Sequence, residues 1–212
     1  MLAFSRGVST CKYATPWCKQ NCYARKFYAM GWAKQEWDAV DDNWWQSIEA
    51  NDFVKYIEEK YNRHPERFRF SIKGEIWNHP TDVIKVMRIG QLMPTTKFWI
   101  PTRAWRDEEM RECIERYMRW SSNVRVLASV DPSNTEAEIE MLREQSWSIV
   151  ATGGVWNDRN QMMLTPNGVA LSPVSGMHRC EKTWDQNTGH CLQCEDGCFK
   201  DGRVEIHLKR HQ

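Results

Sequence analysis

No stretch of this chain has the run of apolar residues needed to cross a bilayer. The opening MLAFSRGVST lacks a basic segment followed by an apolar core, so no secretory signal is expected. Charge of either sign is not in excess. The 29 Lys and Arg residues are balanced by 28 Asp and Glu, a formal net charge of +1. That removes the case for a strongly nucleic-acid-seeking or membrane-seeking surface. Internal repeats and low-complexity linkers are absent. A cytoplasmic protein is therefore expected, with neither membrane nor nucleic acid indicated as a partner. Disulfides are uncommon in that reducing compartment, so the eight cysteines point to metal or redox chemistry.

Tryptophan is abundant, with twelve in 212 residues. Buried indoles need partners for their N–H groups, which favours a rigid, well-ordered fold. The length favours one domain and allows a large one with an appended module.

Seven of the cysteines fall into two groups. Cys11, Cys18 and Cys22 are spaced C-x6-C-x3-C near the N-terminus. Thiolates are soft ligands that suit iron–sulfur clusters, zinc and Cu(I). Three of them form an incomplete tetrahedral set. Either a fourth ligand, such as Cys180 or a histidine, completes it, or one position stays open to a substrate. Cys180, Cys191, Cys194 and Cys198 are spaced C-x10-C-x2-C-x3-C in a segment with little apolar material. Four thiols complete a ligand set unaided, and metal binding would supply folding free energy there. Zinc and a [4Fe–4S] cluster both fit that spacing. His178, His190 and His207 are alternates for a missing ligand. Cys113 falls at helical spacing among apolar residues and is expected in the core.

The middle of the chain alternates between strand and helix patterns. Residues 2–6 suit a short strand, Tyr23 to Met30 a helix broken at Gly31, and 42–62 one longer helix ended by His64-Pro65. Strands are expected at 68–72, 97–102, 124–129 and 147–152. Helices are expected at 80–92, 107–120 and 134–145. A last core strand is expected at 161–165 and a short closing strand at 203–208. Five or six βα units on a parallel sheet fit this length, whereas a full barrel takes roughly 250 residues. The expectation is an α/β partial barrel over residues 1–172, followed by a cysteine-rich extension over 173–212. A doubly wound open sheet is the alternative. In either, the loops after the strands carry function. Glu75, Arg103, Ser129 and the Gly153-Gly154 pair share that position. Singly, each also suits a structural role.

The loop ending Cys18-x3-Cys22-Tyr23-Ala24 resembles the cysteine motif of radical S-adenosylmethionine (SAM) proteins in variant form. It is more similar still to phage-encoded relatives. One is the phage gene product eighty-eight family; another is a phage group with C-x6-C-x2-C-Tyr-Ala. The similarity continues through FRFSIKGEIW, PTTKFWIPTR, the C-terminal cysteines and the Val204-Glu205-Ile206-His207 ending. The usual radical SAM spacing is C-x3-C-x2-C with an aromatic before the last cysteine. Here the gaps are six and three, the aromatic follows, and a single glycine precedes Glu75.

The resemblance implies a radical-SAM-like partial barrel. Cys11, Cys18 and Cys22 would ligate a [4Fe–4S] cluster. Gly74 and Glu75 would contact the amino group of SAM, and Arg103 and Ser129 would line the same mouth. The C-terminal quartet would resemble an auxiliary cluster. Three functions follow as expectations. The first is a radical-SAM-like enzyme on an unknown substrate, fed by a flavodoxin or ferredoxin. The second is a non-enzymatic iron–sulfur protein for electron transfer or sensing. The third is a zinc-stabilised binding module. A phage-encoded chain would act in the host cytoplasm.

Overall fold

The computed structural model describes residues 2–31, 35–152, 155–157, 162–164, 170–171, 177–179 and 204–208. In chain order the first half runs β1 (Leu2–Phe4), α1 (Pro16–Gln20), α2 (Tyr23–Ala29), α3 (Gln35–Ser47), α4 (Ala50–Tyr61), β2 (Arg67–Phe70), α5 (Pro80–Leu92) and β3 (Lys97–Thr102). Then come α6 (Glu108–Tyr117), β4 (Val124–Val130), α7 (Glu136–Glu144), β5 (Ser148–Thr152), β6 (Val155–Asn157), β7 (Met162–Leu164), β8 (Ala170–Leu171), β9 (Met177–Arg179) and β10 (Glu205–Leu208). Single 3-10 turns sit at Val8–Thr10, Ala104–Arg106 and Met118–Trp120.

The architecture is mixed α/β on an open parallel sheet. The hydrogen-bonded strand order is β1-β2-β3-β4-β5-β10-β9. Leu2 stands opposite Phe68, Phe68 opposite Phe98, Ala128 opposite Ile149 and Val150 opposite Ile206, all in parallel register. Strands β1 to β5 follow chain order without the reversal that marks a doubly wound sheet. No helix among the described residues is long and apolar enough to cross a membrane.

The chain divides into two compact units, Met1–Ala14 with Tyr23–Val126 and Thr15–Cys22 with Leu127–Gln212. In the first, the alternation of Arg67-Phe68-Arg69-Phe70 decides the packing, because successive strand residues face opposite ways. Phe68 and Phe70 are buried. They meet Phe98 with ring centroids 5.7 and 5.8 Å away, and Phe53 of α4 at 6.0 and 5.9 Å. Phe4 joins this cluster and stacks on Trp45 of α3 at 5.4 Å. Each such ring contributes about 1.5–3 kcal/mol on burial. Arg69 lies on the alternate positions and lays its guanidinium over the Trp99 ring at 4.3 Å.

The single helix expected over 42–62 is two. Glu49 takes extended geometry between α3 and α4. In one straight helix Trp44 and Phe53 would stand about 13 Å apart along the axis. The break brings their rings to 5.8 Å, both against Phe4. The pooled aromatic contact outweighs continued helix, which periodicity alone cannot register. Cys113 is half-buried rather than in the core, its thiol 3.9 Å from the Pro80 carbonyl. Burial pushes that thiol's pKa up. Met110 and Ile114 take the innermost places on α6.

In the second unit, β5 lies between β4 and β10, and β9 pairs beyond β10. Glu205 of β10 is buried and paired with Arg143 of α7 at 3.3 Å. The last core strand expected at 161–165 is instead β7, which pairs antiparallel with β6 and β8 in a separate small sheet. The parallel place beside β5 is taken by β10, whose Ile206 is buried.

The first unit is fastened by a buried charge cluster at the end of β1. Arg6 is 2% exposed. Its guanidinium pairs with Asp42 of α3, with Asp82 of α5 at 3.2 Å, and donates to the Ile76 carbonyl at 3.0 Å. Asp82 also accepts from the Trp45 indole at 2.8 Å and from the backbone N–H groups of Asn78 and His79, closing the first turn of α5. Removing one partner of a buried pair leaves the other charge desolvated without compensation. Arg6→Met is therefore expected to destabilise the protein by about 3–5 kcal/mol, read as a drop in the urea midpoint. A loss below about 1 kcal/mol, the size of a surface ion pair, would show that Asp82 is satisfied without Arg6.

Candidate functional site

In the first unit the candidate loop begins where β1 ends. Val8–Thr10 forms a 3-10 turn, and Cys11 follows it with its N–H bonded to the Val8 carbonyl at 3.1 Å. Thr10 is buried. Its hydroxyl donates to the Gly7 carbonyl at 2.7 Å and accepts from the N–H of Glu75 at 2.9 Å. One threonine thus joins the loop after β1 to the loop after β2, immediately before a thiol. Asp38 of α3, also buried, accepts from the N–H of Val8, the Tyr28 hydroxyl and the Lys73 ammonium. A side chain on Gly7 would overlap Asp38. Beyond Cys11, Lys12 donates to the Asn78 carbonyl at 2.7 Å and Arg106 to the Tyr13 carbonyl at 3.4 Å. Burial, with Asp107 and Glu75 adding their negative charge, pushes the Tyr13 phenol's pKa up.

Gly74 and Glu75 sit at the heart of this junction. Gly74 has φ +70°, and a Cβ there would run into the carbonyl oxygens of Arg6 and Gly7. Glu75 is 5% exposed. Its carboxylate accepts from the N–H of Trp77 at 3.3 Å, the Thr102 hydroxyl at 3.0 Å and the N–H of Arg103 at 2.9 Å. Burial raises its pKa, and those donors oppose the rise. Glu75 and Arg103, grouped in the sequence by their place after strands, are therefore brought together. The Arg103 backbone N–H donates to the Glu75 carboxylate, and the Arg103 charge also favours its ionised form.

In the second unit, Thr15 caps α1 and Pro16 opens it, a common helix-start pairing. The Thr15 hydroxyl accepts from the N–H of Cys18 at 2.9 Å and donates to Asp131, at the end of β4, at 2.6 Å. Asp131 is fully buried and also accepts from the N–H and hydroxyl of Ser133. The other end of α1 is closed by Asn21, whose N–H and side chain both donate to the Trp17 carbonyl, at 2.9 and 2.8 Å. Cys22 comes next. Ser129 is buried in β4, opposite Val150 of β5.

Cys11, Cys18 and Cys22 are all half-buried and none forms a disulfide. Among the described residues, no three His, Cys, Asp or Glu side chains are gathered as a metal-holding group. As soft donors, the three thiols suit iron or zinc by their chemistry alone. Gly153, Gly154, His190, Cys180, Cys191, Cys194 and Cys198 lie outside the described residues. His178 falls on β9 and His207 on β10.

Sequence reasoning missed Thr10, Thr15, Asp38, Asp82 and Asp131. Only Thr15-Pro16 carried a local signal, as a helix cap followed by proline. Each of the others makes its longest contact across 35 to 116 residues of chain.

The model of the family described as Gene product 88 matches residues 1–205. The chain belongs to the Gene product 88 family. No curated protein and no solved structure matches it. The family match spans the N-terminal cysteine loop, the Gly74-Glu75 junction and the four C-terminal cysteines.

Two measurements probe the junction. Gly74→Ala is expected to cost about 2–4 kcal/mol, from positive φ plus overlap with two carbonyls. Gly31→Ala, at φ +72° with nothing within 4 Å, should cost only about 1–2 kcal/mol in the same urea titration. Equal costs would mean the close approach of the two loops contributes nothing. For Glu75 the sign follows from a folded pKa raised above the unfolded value. Its contribution to stability is fully present below the ordinary carboxylate range and is lost as pH rises through the raised value. The melting temperature of the wild type relative to Glu75→Gln should therefore fall as pH rises above the ordinary carboxylate range of about pH 4. A difference that grows with pH would reverse the assignment.

Proposed function

We propose that this chain is an iron–sulfur protein. Cys11, Cys18 and Cys22 would hold a [4Fe–4S] cluster, and Cys180, Cys191, Cys194 and Cys198 a second cluster or, alternatively, zinc. The observation that carries the reading is the anchoring of the thiol-bearing loop. Thr10 ties the residue before Cys11 to the Glu75 loop, and Thr15 ties the turn of Cys18 to the end of β4. Thiols on tethered loops after parallel strands are placed where α/β proteins carry their sites. Bound there, such a cluster supplies one-electron transfer.

The strand order supports a partial barrel. Parallel crossovers are right-handed almost without exception. Strands β1 to β4 step in one direction across the sheet, so successive crossovers fall on one face, as in a barrel wall. With an open iron, the finer reading is radical-SAM-like chemistry on a substrate yet to be found, in the host cytoplasm, with a flavodoxin or ferredoxin as reductant. One observation favours the second reading, a non-enzymatic electron-transfer or sensing protein. The Glu75 carboxylate, the candidate for the amino group of SAM, is buried and already accepts three donors of its own chain.

The test is metal and acid-labile sulfide analysis of protein purified without oxygen, with and without Cys22→Ala. Brown protein carrying iron and sulfide is expected, and the variant should lose about half of each if two clusters are present. Colourless protein holding only zinc would leave the binding-module reading instead. Iron-loaded protein that neither binds SAM nor cleaves it under reducing conditions would leave the electron-transfer or sensing reading.

A further inference from the structure

We infer that Asp131, acting through Thr15, is the positioning group for the Cys18 thiol. The inference deepens the iron–sulfur reading and rests on it for its purpose, though not for its geometry. Helix α1 has only five residues, too few to persist alone, since nucleating a helix costs more than one turn returns. The conformation at Cys18 therefore depends on what holds the turn from outside. Two bonds in series do so: the N–H of Cys18 to the Thr15 hydroxyl at 2.9 Å, and that hydroxyl to the Asp131 carboxylate at 2.6 Å. The hydroxyl has a single proton. Its donation to Asp131 turns a lone pair towards Cys18 and fixes the direction of the chain.

Asp131 is itself held by its neighbours. Its other carboxylate oxygen accepts from the N–H and hydroxyl of Ser133, and its own N–H donates to the Asn134 side chain at 2.9 Å. It sits at the end of β4, one of the strands of the parallel sheet, with no exposed surface. A cap for a short helix needs only the threonine. Backing that cap with a fully buried carboxylate adds a desolvation cost that the cap alone does not require. What the carboxylate adds is a fixed distance between the sheet and the turn that carries the thiol. Supporting hydrogen bonds of this kind orient metal ligands.

The test separates cap from tether with three variants of the full chain. Thr15→Ser keeps both bonds. Thr15→Val keeps neither. Thr15→Asp keeps an acceptor for the Cys18 N–H but cannot donate to Asp131 and repels it. The first readout is the alkylation rate of Cys18 by iodoacetamide in reduced, metal-free protein, followed by peptide mass spectrometry with Cys113 as internal reference. Thr15→Val and Thr15→Asp should speed Cys18 about threefold or more, the factor expected from one lost hydrogen bond, with Cys113 unchanged and Thr15→Ser like wild type. The second readout is iron retained against a chelator after anaerobic loading, which should fall in the same two variants. Thr15→Asp behaving as wild type would show that capping suffices and overturn the inference. So would a parallel rise at Cys113, which marks general loosening. If the wild type takes up no iron while the alkylation pattern holds, the tether stands and the iron–sulfur reading falls.

Discussion

The pairing of Arg6 with Asp82 is the constraint from which much of the first unit follows. A guanidinium 2% exposed must have its charge met inside the protein, and Asp82 meets it while closing the first turn of α5. That requirement draws the end of β1 to the start of α5. It also draws in α3, through Asp42 and the Trp45 indole. The Ile76 carbonyl, bonded to the same guanidinium, brings the loop after β2 into register with the loop after β1. Once those two loops are adjacent, only glycine fits at position 74, where any side chain would meet the Arg6 and Gly7 carbonyls. The ion pair, the glycine and the Glu75 carboxylate are three consequences of one close approach.

What the sequence made legible was local. Helix α5 was readable to its ends because Pro80 marks a first turn and an apolar face runs behind it. Strand β3 was readable from KFWIPT, and the start of α7 lies close to the expected place because Thr135 and Glu138 form a capping box. The break between α3 and α4 was not, because its cause is a three-way ring contact with Phe4, some forty residues away in the chain. Nor was the neighbour of β10. A parallel strand's place is set by crossover and register, and nothing in EIHL says that it lies beside β5. Of the candidate site, the residue types were legible and their roles were not. Glu75 was visible as a polar residue after a strand. That its carboxylate is consumed by Trp77, Thr102 and Arg103 depends on contacts as far as 28 residues off.

The buried acids of this protein share one habit. Asp38, Glu75, Asp82 and Asp131 each accept from several donors of their own chain, chiefly backbone N–H groups and hydroxyls. A carboxylate engaged in this way acts as a fastener, because most of its lone pairs hold loop geometry. Two of these fasteners lead directly to cysteine-bearing turns. The Glu75 N–H reaches Thr10, the residue before Cys11, and the Asp131 carboxylate reaches Thr15, three residues before Cys18.

On the iron–sulfur reading proposed above, the chemistry of these loops would fall to sulfur, since soft thiolates and hard carboxylates select different metals. Locking the carboxylates makes the segregation physical: oxygen holds the backbone, while sulfur is carried on what oxygen holds. Each cysteine-bearing turn is tethered within its own unit, at the residue immediately before Cys11 in the first and three before Cys18 in the second. In the first unit Lys12 and Tyr13 are also anchored, through the Asn78 carbonyl and the Arg106 side chain. Turns held by their neighbours in this way meet the condition under which binding costs least in ordering the chain.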